Sequence, residues 1–185
     1  MTICLRDALA ADLPIITEIY RDSVLNGTAS YEILPPDEAE MALRFQAITG
    51  KGYPYLVAQD ESGTILGYAY ASAFRTRPAY RWLVEDSIYL APQARGRGIG
   101  RMLLSALIDR TTALGFRQMA AVIGGASPAS VALHAALGFE MVGRMQGTGY
   151  KHGAWLDTIF MQRELGEGRS THPDLDCYPG SLFAG

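Results

Sequence analysis

VEDSIYLAPQARGRGIGRMLLSALIDRTTAL, from Val84 to Leu114, reads as an apolar strand, a short basic loop rich in glycine and an amphipathic helix. Arg95, Gly98 and Gly100 set an R-x-x-G-x-G spacing, and Gly96 adds another position without a side chain. Such a loop at a helix start suits a phosphate. The first helical amides lack partners inside the helix, the dipole places partial positive charge there, and glycine lets an anion approach the backbone. Arg97 and Arg101 join Arg95 in adding positive charge. Spacing alone also fits a flexible connection. Two phosphate loops are excluded: there is no Gly-Lys-Ser/Thr ending, and the loop follows a fourth or fifth strand-like segment instead of opening a dinucleotide-binding unit with an acid roughly twenty positions on.

Working outward, the 185 residues are 49% hydrophobic and 19% charged, which suffices for the core of one domain. A net charge of −3 and a pI near 5.6 speak against a nucleic-acid partner or a polybasic membrane-surface protein. The partner expected at the loop is therefore a small molecule. Cys4 and Cys177 stand at opposite ends, with neither metal-ligand spacing nor a disulfide framework, so a reducing cytoplasm and no metal are expected. Arg6 and Asp7 interrupt the N-terminus, and no run approaches the ~18 apolar residues of a membrane span. Neither a signal peptide nor a transmembrane helix is expected.

Taken in order, Ile3 to Arg6 alternates as a first strand, and Asp12 is placed to cap a helix carrying Pro14 in its first turn and Leu13, Ile16, Ile19, Tyr20 and Val24 on its core face. Thr28 to Ile33 is expected to be extended, and a second helix to run from Asp37 to Ile48. Tyr55 to Gln59 and Ile65 to Phe74 read as an antiparallel hairpin whose Tyr68, Tyr70 and Phe74 suit a pleated surface. After the central helix, Arg117 to Ile123 is a strand and Ser127-Pro128 opens another helix. Phe139 to Met145 and Leu156 to Arg163 close the chain as strands. Residues 1–165 thus form one domain, and 166–185 a tail or arm whose isolated apolar residues, Tyr178, Leu182 and Phe183, cannot build a core.

Glu85 stands out within Leu83-Val84-Glu85-Asp86-Ser87-Ile88. Burying a polar group without partners costs roughly 2 to 7 kcal/mol, and a charge more, so function or a partner has to explain it. Partial burial raises a carboxylate's pKa and makes it a better base. The structural alternative is a carboxylate paired with Arg75 or Arg81, and Asp86 is its nearest rival.

FRTRPAYRWLVEDSIYL, RGRGIG, SVALHAALGF and KHGAWLDTIFMQREL, four separated blocks in order, resemble the phosphinothricin acetyltransferase family of the GNAT superfamily, and the resemblance runs from about Ile3 to Leu165. It implies an α+β fold, a mixed and mostly antiparallel twisted sheet flanked by helices, and acetyl-CoA as co-substrate. It also places pantetheine along the backbone of Ile88, Tyr89 and Leu90, and the pyrophosphate on the amides from Gly96 through Arg97, Gly98, Ile99 and Gly100 to Arg101. On the same footing Glu85 is the general base. His134, four residues before Gly138 where many relatives carry a tyrosine, contacts CoA or protonates the thiolate, a structural histidine being the alternative. Ser127 replaces an asparagine that contacts CoA in many relatives; it keeps the helix cap but shortens the reach.

Tyr31 and Glu32 border the acceptor site by the same resemblance, or else are ordinary packing and surface residues. Arg75 and Arg81 flank the entrance to the central strand, where an arginine can clamp the carboxylate of an amino-acid acceptor through two parallel hydrogen bonds, or serve as surface charge. Trp155 is a subunit contact or a pocket wall. The expected activity is transfer of acetyl to the α-amine of a small amino acid or analogue (phosphinothricin, methionine sulfoximine, methionine sulfone) by a cytoplasmic homodimer. The alternatives are another amine acceptor (a polyamine, an antibiotic, a protein N-terminus) and a non-catalytic CoA-binding sensor.

Overall fold

The computed structural model describes residues 2–176, and among these seven strands form one sheet flanked by four helices. The order in the chain is β1 (Ile3–Asp7), α1 (Leu13–Asn26), α2 (Glu38–Thr49), β2 (Tyr55–Asp60), β3 (Ile65–Ala73), β4 (Leu83–Leu90), α3 (Ile99–Ala113), β5 (Gln118–Gly124), α4 (Pro128–Ala135), β6 (Glu140–Lys151) and β7 (Ala154–Glu164). Across the sheet the order is β1-β2-β3-β4-β5-β7-β6. Only β4 and β5 run parallel. The mixed, mostly antiparallel architecture is the one expected.

α1 buries Ile16, Ile19, Tyr20 and Val24 at helical spacing, and α3 buries Leu103, Leu104 and Leu107 completely. Asp37 caps α2 by accepting from the Glu40 amide. Asp12 does not cap α1 as expected. Its carboxylate takes two bonds from Arg6, at 2.7 and 2.8 Å, and one from the Leu9 amide, because Arg6 on β1 is a stronger partner than a helix amide. It therefore fastens β1 to the start of α1.

The two faces of the sheet follow from strand alternation. Tyr89 meets Tyr20 of α1 edge-on, with ring centroids 4.9 Å apart. Tyr55, Tyr70 and Ser87 lie opposite one another across three strands and share that face, as does Glu85. Asp86, Ile88 and Leu90 point the other way. A Cβ on Gly100 of α3 would lie 3.5 Å from Leu90 and 3.3 Å from Leu133 of α4, so α3 and α4 cover this second face.

Two other expectations change. Thr28 to Ile33, expected to be extended, bends across the end of β5 as a loop, with the carbonyls of Thr28 and Ala29 so close to Gly124 that an added Cβ would stand 2.9 Å from each. The closing strands are longer than expected, because a register shift between Met145 and Gly149 carries β6 past Met145, where the expected strand stops, through Gly147 and Gly149. Beyond β7, Arg117 donates to the carbonyls of Gly168 and His172 and to Thr171. Cys177, Tyr178, Leu182 and Phe183 lie outside the described residues.

Candidate active site

β4 and β5 pair only through Leu83–Gln118, Val84–Met119 and Glu85–Ala120, and then part. On its other side β4 stays paired with β3 up to Leu90. The Ala91 amide donates to the Leu66 carbonyl, which fixes the phase of that antiparallel ladder. Alternate residues then face the opposite way, so the amides and carbonyls of Asp86, Ile88 and Leu90 point into the gap. The gap belongs to a cavity of about 1170 Å³ running from the glycine-rich loop past Glu85 to the loop before α2.

At one end the cavity is built from backbone. Gly98 caps α3 in the left-handed conformation, at φ 78°, and Gly96 has φ 73°. No atom lies within 4 Å of where a Cβ would sit on either. The turn therefore needs glycine for its dihedrals, and the missing side chains leave the α3 amides open to an anion. Gly96, Gly98, Gly100 and Arg101 line the cavity. Ile99 is core, 1% exposed, and offers only its amide. Arg95 also lines the cavity, but its guanidinium bonds Asp22 of α1 at 2.7 Å, and Arg97 is not among the lining residues. Ser127 caps α4 by accepting from the Ser130 amide, and it borders the same space.

At the fork of the strands stand Glu85 and Asp86, on opposite faces of β4. No hydrogen bond or ion pair engages Glu85 among the described residues. Burial, followed by the like charge of Asp86, raises its pKa from 4.5 to about 7, against the opposing charge of Arg75. The expected alternative, a structural ion pair, is not formed. Asp86 instead meets His134, its Oδ2 lying 3.0 Å from Nε2, while Nδ1 lies 2.7 Å from the Ser130 carbonyl. Burial pushes the ring towards its neutral form, but the bond to Asp86, its charge and the Ser130 carbonyl outweigh this and raise the His134 pKa. Both ring nitrogens are engaged, so neither is presented directly to a thiolate.

The other end is built from side chains. The Tyr31 hydroxyl donates to the Asp157 carbonyl at 3.0 Å, accepts from the Gly125 amide at 3.2 Å, and lies 2.9 Å from the Thr158 hydroxyl. Burial raises its pKa, but hydrogen bonds from Thr148, Thr158 and Gly125 prevail and the net shift is downward. A Cβ on Gly149 would stand 2.8 Å from the Tyr31 ring, so that glycine makes room for it. Glu32 also lines the cavity, bonded to Arg44 at 2.6 Å and to the Tyr20 hydroxyl.

Arg75 and Arg81 do not line the cavity, contrary to expectation. Arg75 lies over the Phe74 ring at 4.4 Å and Arg81 over Trp82 at 4.7 Å, because each guanidinium finds an aromatic face next to it in sequence. The carboxylate clamp expected of them is not assembled within one copy of the chain. Among the described residues no group of three or more His, Cys, Asp or Glu side chains is arranged for a metal ion, and no helix is long and apolar enough to cross a membrane.

A family model described as an acetyltransferase (GNAT) domain matches residues 5–160. The chain belongs to the GNAT acetyltransferase family. It is 48% identical over 164 residues to a phosphinothricin N-acetyltransferase of Alcaligenes faecalis, covering 88% of this chain and 83% of the relative. It is 44% identical to an L-methionine sulfoximine/L-methionine sulfone acetyltransferase of Pseudomonas aeruginosa, covering 92% and 99%. A crystal structure of a phosphinothricin acetyltransferase from Sinorhizobium meliloti in complex with AcCoA is 69% identical and superposes with a TM-score of 0.98 over the whole of both chains.

Several residues of this GNAT acetyltransferase site escape sequence reasoning. Tyr70 lines the cavity beside Glu85, opposite Ser87 across the strands, and burial raises its pKa. Strand parity offers a signal for it, since Tyr70 and Glu85 fall on one face. Thr148 and Thr158 had no local signal. Lys151, in the last resembling block but without an assigned role, is 5% exposed and donates to the Ser30 carbonyl at 2.8 Å; burial lowers its pKa, opposed by the charge of Glu32.

Proposed function

We propose that this acetyltransferase moves the acetyl group of acetyl-CoA to the α-amine of a small amino acid or analogue, with phosphinothricin, methionine sulfoximine and methionine sulfone as the first acceptors to try. The observation that carries the reading is the fork of β4 and β5: a half-buried, unpaired carboxylate with a pKa near 7 stands where the strands part, between a backbone-built anion site and a polar pocket.

The residues present fit CoA. The first amides of α3, from Ile99 to Arg101, suit a pyrophosphate, and the gap-facing backbone of Ile88 and Leu90 suits an extended amide-bearing arm. Bound acetyl-CoA supplies an activated acetyl group as a thioester. Glu85 takes a proton from the incoming ammonium, and a gap-facing β4 amide is placed to donate to the acetyl carbonyl oxygen as negative charge grows there. The contribution of His134 runs through Asp86. At the acceptor end, the hydroxyls of Tyr31, Thr148 and Thr158 suit a small polar molecule. That supports an amino-acid acceptor.

The same proposal has the enzyme working as a homodimer in the cytoplasm, with 1–165 as its catalytic domain. Met141, Val142, Met145, Tyr150 and Trp155 expose apolar surface along the hairpin of β6 and β7, Trp155 being 71% exposed, which suits a second copy. Cys4 is a free, exposed thiol, in keeping with a reducing compartment. Light scattering on the eluted protein decides the stoichiometry.

The test of function is thiol release from acetyl-CoA by purified protein across an acceptor panel. The three acceptors named should be turned over and a decarboxylated analogue should not. A preference for a polyamine or a peptide N-terminus, or binding without turnover, would overturn the assignment.

A further inference from the structure

Asp86 and His134 form a couple that the chemistry assigned to Glu85 leaves unused. Their side chains are 3% and 5% exposed, respectively. The Ser130 carbonyl, 2.7 Å from Nδ1, can only accept, so Nδ1 carries a proton. One further proton then lies between Nε2 and Oδ2, which are 3.0 Å apart. With that proton the couple is neutral as a whole. Without it a carboxylate stands buried beside the cavity, and its Oδ1 has no hydrogen-bond partner among the described residues. A lone buried charge is strongly disfavoured, so the shared proton is firmly held.

The couple also has a mechanical consequence. Backbone pairing between β4 and β5 ends at Glu85–Ala120. One residue later, the bond from Asp86 to His134 ties β4 to α4, the helix whose capping Ser127 borders the cavity. It is a side-chain link from β4 to the helix that follows β5, on the face opposite Glu85.

Other charged or titratable groups surround these residues. Arg75 acts on Glu85 from the loop before β4, Tyr70 adjoins it from β3, and Glu32 and Arg44 form an ion pair on the side of α2. Arg163 of β7 donates to the Leu137 carbonyl just beyond α4, and the Phe139 ring packs edge-on against His134. Among these, Asp86 is the neighbouring charge that raises the Glu85 pKa.

We propose that Asp86 is a positioning residue for the transfer: it clamps His134 through one shared proton and fixes the charge next to Glu85. This rests on the reading of Glu85 as the base. It also removes Asp86 as a rival base, because its carboxylate is committed to the ring. The shared proton resides on Nε2, making the ring an imidazolium at neutral pH.

The test is Asp86→Asn, whose amide donates to Nε2 and so keeps the link while removing charge and shared proton. Nitrogen-15 spectra of the wild-type ring should show both nitrogens of His134 protonated at neutral pH, and those of the variant a bare Nε2. The variant loses the imidazolium together with the carboxylate, so the acidic limb of kcat/KM should move to lower pH by only a few tenths of a unit, Asp86 being the member of the couple that acts on Glu85. A merely structural Asp86 would lower the melting temperature and leave the limb in place. A wild-type ring with a bare Nε2, or an unmoved limb in a folded variant, overturns the proposal. Glu85→Gln run alongside separates the two readings: if that variant keeps the wild-type limb, the base assignment fails, while the ring spectrum still decides the couple.

Discussion

The two ends of the cavity are made of different material. The end facing α3 is backbone: Gly96 and Gly98 hold positive φ, and open amides replace side chains. The end facing the loop before α2 is side chain, a mesh of Tyr31, Thr148 and Thr158 hydroxyls with Glu32 and Arg44 behind it. Backbone recognition tolerates change in everything except the absence of a Cβ, so it suits a constant co-substrate. Side-chain recognition changes with each substitution, so it suits an acceptor that differs among relatives. Glu85 stands at the boundary of the two.

The comparison breaks most sharply at Gly98. Gly98→Asp sets an anion into the site meant for one and strains a turn held at positive φ, so acetyl-CoA affinity should fall at least about a hundredfold while the sheet and helices stay folded, and Gly98→Asn, with the same strain and no charge, should lose less. Calorimetry alongside circular dichroism checks it. Unchanged affinity in a folded variant would show that the backbone end is not the CoA site.

At the boundary, the raised pKa of Glu85 has a cost in stability. Between its ordinary 4.5 and about 7 the native state keeps a proton that the unfolded chain has released, so stability falls as pH rises through that window. Allowing for its partial exposure, Glu85→Gln should stabilise the fold by roughly 2 kcal/mol at pH 8 and hardly at all near pH 4. Urea unfolding at the two pH values measures this. Equal effects at both would mean that the carboxylate is not strained by its surroundings.

Tyr31→Phe should touch only the side-chain end. Removing a hydroxyl that bonds Asp157, Thr158 and Gly125 should raise the KM for the acceptor roughly tenfold and leave that for acetyl-CoA within about twofold. Steady-state kinetics with each substrate varied in turn would blur the two-ended picture if both KM values rose together. The smallest effect belongs to Arg75→Met. It removes the charge that holds the Glu85 pKa down, so the acidic limb of kcat/KM should climb by a few tenths of a pH unit. A limb that falls would reverse the electrostatic account.

The backbone end was legible in the sequence because it is local: RGRGIG lies within one turn and one helix start, and its chemistry follows from dihedrals and unpaired amides. Glu85 was legible because an acid in an apolar strand needs a reason. The acceptor end was not. Tyr31 reaches Asp157 and Thr158 across 126 and 127 residues, a separation that no spacing rule spans, and the segment carrying it reads only as extended until its neighbours are in place. Arg75 and Arg81 show the opposite failing: composition reveals charge but not direction, and an adjacent ring captures each guanidinium. Asp86 and Glu85 are neighbours in sequence, yet the pleat sends one to His134 and the other to the acceptor side.

The pH dependence of kcat/KM for methionine sulfone, compared between wild type and Glu85→Gln, tests the central claim most directly. The wild type should show an acidic limb near pH 7. The variant should lose that limb and fall by roughly 10² to 10⁴ at neutral pH, with the deficit shrinking as alkali frees the amine. A deficit of the same size at every pH, or a variant that keeps the wild-type limb, would contradict the account.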